Sequence, residues 1–453
     1  MTGDTIAAIA TGAQVAAIGI IRISGGMTFE IVDRLFFPAN GSKMSDNDDR
    51  KLIYGSLRAL DGGLLDVCLC TVSRAGHSYT GEDTAELQCH GSPMVLRAAL
   101  EEIFSLGARQ AGPGEFTKRA FLSGRMELSS AEAVADIIDA ESIEAARNAA
   151  GQLSGAVSRR TEGVYSLLTD ISSHFHAVLD YPDEDIEDFR MEDYKQRLAE
   201  AAGDLRALLG TFARGRLMTA GIPAAIVGRP NAGKSSLLNA LVGYDRAIVT
   251  AVPGTTRDTI EEKVHLGSLT LRLTDTAGIR ATDDAVERLG VERSRRALDE
   301  AQLVIAVVDG SCDVTADDIE IVRRAESAEH ALLVISKKDL TRTAAEIDTA
   351  LPRVEVSSLT GEGIDTLETA IAEMFPLPCV PAGEILTNAR QADAVSRAAE
   401  YVEAALAAMR AGETPDIVLT ETEGAMAALG ELTGKRIRED VTNRIFSRFC
   451  VGK

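Results

Sequence analysis

Tryptophan is absent from the 453 residues, and aromatic residues make up only 4%. Cores without aromatic bulk must be packed from Ala, Leu, Ile and Val, and so alanine-rich a composition favours helix. Cysteine is scarce as well. Cys68, Cys70, Cys89, Cys312, Cys379 and Cys450 include no C-x-x-C pair, which argues against a zinc ribbon. So low a count in a long chain fits a reducing compartment and points to the cytoplasm. Basic residues are in deficit: 47 Lys and Arg against 69 Asp and Glu give a net charge of −22. A field of that sign opposes wrapping of bare nucleic acid over a large area, though RNA can still be met through a local patch or a basic partner. No apolar run approaches the roughly 20 residues of a membrane span. The opening MTGDTIAAIA has no basic region ahead of its apolar residues, so no signal peptide is expected.

The length predicts two or three domains. Residues 1–120 read as a mixed α/β module, with strands at Val15–Ser24, Leu64–Ser73 and Thr84–His90 and a helix over Pro93–Leu106. Residues 121–218 turn helical, with Asp180–Asp185 as an acidic, proline-containing joint between two helices. Residues 219–376 change character. Short apolar runs at Ala224–Val227, Leu269–Leu273, Leu303–Val308, Leu332–Ile335 and Val354–Val356 alternate with amphipathic stretches. That alternation predicts a mostly parallel sheet covered on both faces. Residues 377–453 return to helix after Pro376, Pro378 and Pro381. A helical pattern on both sides implies that the α/β unit is inserted into one helical domain.

The strongest chemical signal lies in that unit. Gly228-Arg229-Pro230-Asn231-Ala232-Gly233-Lys234-Ser235 fits G-x-x-x-x-G-K-[ST] between a predicted strand and a helix opening at Ser236. Glycines there let backbone N–H groups face phosphate oxygens, and the helix N-terminus adds a favourable dipole. Asn231, Ala232, Gly233, Lys234, Ser235 and Ser236 are thus expected to bind GTP, with Lys234 on the β- and γ-phosphates and Ser235 on Mg²⁺. Asp275-Thr276-Ala277-Gly278 follows the next strong strand, where the Asp can hold Mg²⁺ through water and Gly278 can offer its N–H to the γ-phosphate. Between the two motifs, Gly254-Thr255-Thr256-Arg257-Asp258 carries a threonine able to complete Mg²⁺ coordination when triphosphate is present, which makes the loop a switch.

Base recognition is expected after Leu332–Ile335, at Ser336-Lys337-Lys338-Asp339. The Asp339 carboxylate can accept both the ring N–H and the exocyclic amine of guanine, a donor pair that adenine lacks. Ser336 stands where N-K-x-D has Asn, and Lys337 keeps the Lys position. Ser357-Ser358-Leu359 falls where backbone N–H groups meet the guanine carbonyl. After Gly278 comes Ile279, which cannot orient water as a Gln would, so catalysis must recruit another group; Asp283, Asp284 and Glu287 follow.

These motifs, with Tyr79-Thr80-Gly81-Glu82-Asp83, the run Gly112–Leu122 and the closing Phe449-Cys450-Val451-Gly452-Lys453, resemble the MnmE (TrmE) tRNA-modification GTPases over nearly the whole chain. The resemblance implies a folate-binding N-terminal domain that also dimerises, a helical domain, and a Ras-like G domain inserted into it. It implies addition of a carboxymethylaminomethyl-type group to C5 of the wobble uridine of certain tRNAs. It further implies a tetrahydrofolate one-carbon donor, the 5,10-methylene or 5-formyl form, and a homodimer that joins an FAD flavoprotein of the MnmG type in a heterotetramer-like complex. Hydrolysis would follow K⁺-dependent pairing of G domains.

Carried over residue by residue, Arg22, Glu86, Arg125 and Lys453 match folate contacts. Asn231, Thr250, Val252 and Thr255 match K⁺ ligands, while Ser235 and Thr256 match Mg²⁺ ligands. Thr250, Ala251, Val252, Pro253, Gly254, Thr255 and Thr256 form the matching nucleotide loop, and Glu287 matches the glutamate that orients the attacking water. Two departures stand out: Thr11-Gly12-Ala13-Gln14-Val15 replaces a Pro-Pro-Gly-Arg-Gly-like turn, and Cys89 replaces a commonly small residue. Cys450 matches the family cysteine, as a buried structural thiol or a reactive one. Two other readings remain: a ribosome-assembly GTPase, opposed by the −22 charge and the C-V-G-K end, and a folate enzyme whose G domain only regulates.

Overall fold

The computed structural model describes all residues except 1–2, 13, 181–190, 245–261, 267–268, 274–300, 341–346, 377–380, 435–441, 443–444, 448 and 453. The chain forms two compact units. One holds 1–135, 150–205 and 393–453; the other holds 136–149 and 206–392, so the chain leaves the first unit and returns to it.

The first unit is built on seven strands: β1 (Ile6–Ile9), β2 (Ala16–Ser24), β3 (Phe36–Pro38), β4 (Ile53–Arg58), β5 (Leu64–Ser73), β6 (Thr84–Gly91) and β7 (Arg109–Gln110). They lie in the order β3-β4-β5-β6-β2-β1-β7. Every pairing is antiparallel except β1 with β7. Alternation along β6 sorts its side chains: Ala85, Leu87 and Cys89 are buried, whereas Glu86 and Gln88 are only partly so. The buried face packs with the apolar sides of the Thr28–Leu35 and Pro93–Ser105 helices into a core that includes Ile21, Ile31, Leu35, Leu57, Leu87, Leu96 and Ile103. Gly19 lies against Leu96 there: a Cβ would sit 2.4 Å from Leu96 Cδ1 and force that side chain to move.

Strands β2, β5 and β6 fall where the alternation predicts them. The four-residue β1, three-residue β3 and two-residue β7 are too short for alternation to register, and β4 carries a glycine at its centre, Gly55, against the Phe37 carbonyl. The same unit contains the 25-residue helix Ala156–Asp180, which packs along Pro415–Thr433. Helices from before and after residues 206–392 are therefore partners. The expected joint at residues 181–185 lies outside the described residues.

The second unit contains β8 (Ile222–Val227), β9 (Glu262–Leu266), β10 (Leu269–Leu273), β11 (Leu303–Asp309), β12 (His330–Ser336) and β13 (Arg353–Glu355), in the order β13-β12-β11-β8-β10-β9. The first five of that order run parallel; β9 joins β10 as an antiparallel edge. All seven residues of β11 are buried, as a central strand covered on both faces requires. Leu303, Ile305 and Val307 face one core, with the helices Lys234–Tyr244 and Ile364–Met374; Val304, Ala306 and Val308 face the other, with Ala316–Ala325.

Candidate functional site

Parallel strands that all run the same way present their C-terminal ends on one edge, which is where ligands of such sheets bind. Here that edge receives the loop after β8, the loop after β12 and the loop after β13. Each carries a motif singled out in the sequence.

The loop after β8 wraps closely over the sheet. Gly228 lies so near β11 that a Cβ would stand 2.4 Å from the Val307 carbonyl oxygen. Asn231 takes the left-handed φ of 63°, and Gly233 follows at φ 96°. The Lys234–Tyr244 helix then begins, with Ser235 and Ser236 exposed in its first turn. Lys234 Nζ donates to the carbonyls of Gly228 and Arg229, both at 2.7 Å, so the ammonium is held inside the loop. Burial lowers its pKa. The ammonium and a curl of backbone N–H donors suit a phosphate, which would take the place of the two carbonyls as the lysine's acceptor.

The loop after β12 is tied to this one. Ser336 Oγ lies 2.6 Å from the Ala232 carbonyl oxygen and 3.2 Å from that of Val308, in a fully buried position. Ser336 thus links the base-recognition segment to the phosphate loop. Lys337, at φ 56°, places its ammonium 2.5 Å from Asp309 Oδ2 at the end of β11. Burial pushes the Asp309 carboxyl up, but hydrogen bonds from Lys337 and Ser311 outweigh it and hold the group at about 2. Asp339 is exposed, and its Oδ1 accepts a 2.6 Å bond from Ser357 Oγ. That bond joins the second and third loops. Ser358 is half-buried and Leu359 is 85% exposed.

Arg229 adds a brace that the sequence did not signal. Its Nε is 2.7 Å from Asp318 Oδ1, and Asp318 also closes the capping box with Thr315 at the start of the Ala316–Ala325 helix. Asp309 and Asp318 escaped notice because their roles depend on partners 28 and 89 residues away. Thr250, Ala251, Val252, Pro253, Gly254, Thr255 and Thr256, Asp275, Thr276, Ala277 and Gly278, and Glu287 lie outside the described residues. Of the expected K⁺ ligands only Asn231 is described, and of the expected Mg²⁺ ligands only Ser235.

In the first unit a cavity of about 320 Å³ opens over β2, β5 and β6, lined by Arg22, Arg50, Tyr79, Glu86 and Gln88 among others. Arg22 and Glu86 are register partners, and Arg22 Nε and Nη2 both lie 2.9 Å from Glu86 Oε1. The guanidinium also lies over the Tyr79 and Phe116 rings, 5.7 and 5.6 Å from their centroids. Tyr79 is fixed by a 2.9 Å hydroxyl contact to Thr117. Of the four expected folate contacts, the structure brings Arg22 and Glu86 together. Arg125 does not line the cavity; it is exposed and bonds the Gly76 carbonyl, in the loop that leads to Tyr79. Lys453 lies outside the described residues. The tail before it bridges Val451 to Pro113, and Gly452 takes φ 101° where a Cβ would meet the Ile9 carbonyl oxygen at 2.5 Å. Cys450 is exposed, not buried. Gln88 was within reach of the sequence, since it is two residues from Glu86 on one strand face; Arg50 was not.

Strand, phosphate loop and helix, with an Asp-bearing loop tied to them at the same sheet edge, define a nucleotide-binding protein of the GTPase class. Family models match both parts of the chain: "GTP-binding protein TrmE N-terminus" over residues 5–125 and "MnmE helical domain" over residues 128–450. The tRNA modification GTPase MnmE of Roseiflexus sp. (strain RS-1) is 42% identical over 464 residues, 99% of each chain. That of Symbiobacterium thermophilum is 41% identical over 459 residues, the whole of both. Among solved structures, the G domain of the T. maritima FeoB iron transporter matches 33% of this chain and 96% of that one at 28% identity, with a TM-score of 0.25, too low to argue from. The chain belongs to the MnmE family of tRNA modification GTPases.

Proposed function

We propose that this GTPase acts on tRNA and, with an FAD flavoprotein partner, adds a carboxymethylaminomethyl-type group to C5 of the wobble uridine, drawing a one-carbon unit from a 5,10-methylene- or 5-formyl-tetrahydrofolate. The observation that carries the nucleotide half is the convergence of Lys234, Ser336, Asp339 and Ser357 through side-chain bonds at one sheet edge. For the folate half, support comes from the Arg22–Glu86 pair in a cavity of suitable size. A pterin ring offers N–H donors to a carboxylate, and the glutamate end of a folate offers carboxylates to arginines. The proposed domains are 1–120 for folate binding and dimerisation, 121–218 and 377–453 for the helical domain, and 219–376 for the G domain.

In the proposed reaction, Lys234 neutralises phosphate charge, and Ser235 with Thr256 would hold Mg²⁺. Asn231 with Thr250, Val252 and Thr255 would hold K⁺, which would supply further positive charge for the transition state. Glu287 accepts a hydrogen bond from the attacking water, in place of the Gln that Ile279 displaces. The protein works as a homodimer in the cytoplasm, and among the described residues no helix is long and apolar enough to cross a membrane.

Steady-state GTP hydrolysis in K⁺ against Na⁺, with Glu287→Ala alongside, tests this reading. K⁺ should accelerate turnover, and Glu287→Ala should keep GTP affinity while slowing turnover by roughly two orders of magnitude. Equal rates in the two salts would remove the K⁺ site, and a normal rate in the variant would remove Glu287. Mass spectrometry of wobble uridines in a strain lacking the protein tests the tRNA half, since unmodified C5 is the expected result.

A further inference from the structure

Neither the GTPase reading nor the folate reading uses the thiols of the N-terminal sheet. Cys68 on β5 and Cys89 on β6 lie directly across from one another, since Leu69 pairs with Gln88. Both are buried, and their sulfurs are 4.0 Å apart. A carboxylate oxygen of Asp66, two residues before Cys68, lies within 4.8 Å of both sulfurs. Asp66 is itself oriented: Oδ2 accepts from the His90 backbone N–H, and Oδ1 lies 2.8 Å from His90 Nδ1.

We propose that Asp66, Cys68 and Cys89 form a binding site for a soft divalent cation of the zinc type. The sulfur separation carries the argument. Two thiolates on one zinc at about 2.3 Å stand about 3.8 Å apart across a tetrahedral angle, close to what the unliganded strands already hold. A disulfide, at about 2.05 Å, would need the sulfurs to close by about 2 Å. Two thiolates with one carboxylate select zinc over magnesium or calcium, which prefer all-oxygen shells. Binding forms two Zn–S bonds and one Zn–O bond and releases the two thiol protons to solvent; nothing is oxidised. Asp66 is the one ligand of the three that is not fully buried, a water would complete the four-coordinate shell, and His90 braces the carboxylate as an outer partner. The absence of C-x-x-C excludes a ribbon but not a site assembled across two strands. Glu86 and Gln88 point to the cavity, whereas Cys89 points to the core, so the ion would clamp β5 to β6 from behind the folate pocket without entering it.

The test uses the full chain with Cys312, Cys379 and Cys450 changed to serine, stripped with a chelator and titrated with Cd²⁺ and Zn²⁺. One Cd²⁺ per chain should bind, with a thiolate-to-cadmium charge-transfer band, and Zn²⁺ should raise the unfolding midpoint. Cys68→Ala with Cys89→Ala should abolish the band. The exposed His90→Ala, which leaves the core intact, should weaken binding roughly 10- to 100-fold. No uptake by the stripped protein, or uptake undiminished in the double variant, would overturn the proposal and leave the thiols as apolar packing groups.

Discussion

The hydroxyl of Ser336, at the end of β12, stands 2.6 Å from the carbonyl oxygen of Ala232 in the phosphate loop, so the residue that replaces the usual Asn still joins the two nucleotide motifs. A short side chain suffices because β12 and the loop are close: a Cβ on Gly233 would lie 3.3 Å from Ser336 Cβ. Ser336→Ala deletes the bond in a buried place where water cannot replace it. A net loss of about 1 kcal/mol, roughly fivefold in affinity for GDP and GTP alike, is expected. Fluorescent-nucleotide titration measures it, and unchanged affinity would show that the bond is idle.

Asp339 is the residue on which base choice should turn. Ser357 Oγ donates to its Oδ1, which fixes the carboxylate at the mouth of the site while leaving it acceptor-only. Asp339→Asn exchanges an acceptor for a donor. Preference should move from guanine toward xanthine nucleotides, because the amide can donate to the xanthine 2-oxo group. Competition of GTP and XTP for the wild type and the variant reads this directly; a variant that still prefers GTP would reject the assignment.

Acid should unfasten the N-terminal unit through Glu115. Its carboxylate takes bonds from Arg109, Arg119 and the Gly112 N–H. Burial raises its pKa, but those bonds overcome it and hold the group at about 2, from 4.5. The sign follows from linkage. A carboxylate held below its unfolded value stabilises the fold fully above that value, and the contribution fades as pH falls through the folded one. Stability should therefore decline between about pH 4.5 and 2, and Glu115→Gln should flatten that part of the curve. Urea unfolding followed across this range is the measurement; identical slopes for both proteins would assign the acid sensitivity elsewhere.

The nucleotide site was legible where its chemistry is local. The phosphate loop is contiguous, and the strand before it and the helix after it carry their own signals, so residues 224–241 read as one unit. The strands β8, β11 and β12 were visible as apolar runs because strands covered on both faces have no polar alternation to confuse, whereas β10, Leu269-Thr270-Leu271-Arg272-Leu273, shows by its alternation and β13 by little more than Val354. The edge strand β9 was not: Glu262-Lys263-Val264-His265-Leu266 is half polar, and only its pairing with β10 makes it a strand. Long-range side-chain pairs were equally hidden. Nothing near Lys337 announces Asp309, and nothing near Arg229 announces Asp318: the first contact forms only when β11 and β12 align, the second only when the Ala316–Ala325 helix docks beside the loop after β8. In the first unit, Arg22 and Glu86 came from the resemblance alone, 64 residues apart, and it took the register of β2 and β6 to put them face to face.

That register also separates the expected folate contacts. Glu86 meets Arg22 inside the cavity, and the guanidinium also contacts the Tyr79 and Phe116 rings, so the pair is positioned before any ligand arrives. Removing the carboxylate leaves a half-buried arginine without its main partner and would take from the proposed folate site the acceptor for the pterin ring. Glu86→Ala should weaken 5-formyltetrahydrofolate binding by roughly 10- to 100-fold, the scale of a hydrogen bond to a charged group. Tyr79→Phe keeps the ring and deletes only the contact to Thr117, so a smaller loss is expected. Arg125 stands off the cavity and bonds a carbonyl of the 76–81 loop, so Arg125→Ala should cost less than Glu86→Ala unless the ligand's charged tail extends to it. Calorimetry on the three variants ranks them. Undiminished binding by Glu86→Ala would take the Arg22–Glu86 pair out of the site, and a larger loss from Arg125→Ala would move the ligand's anchor to the exposed end of the loop.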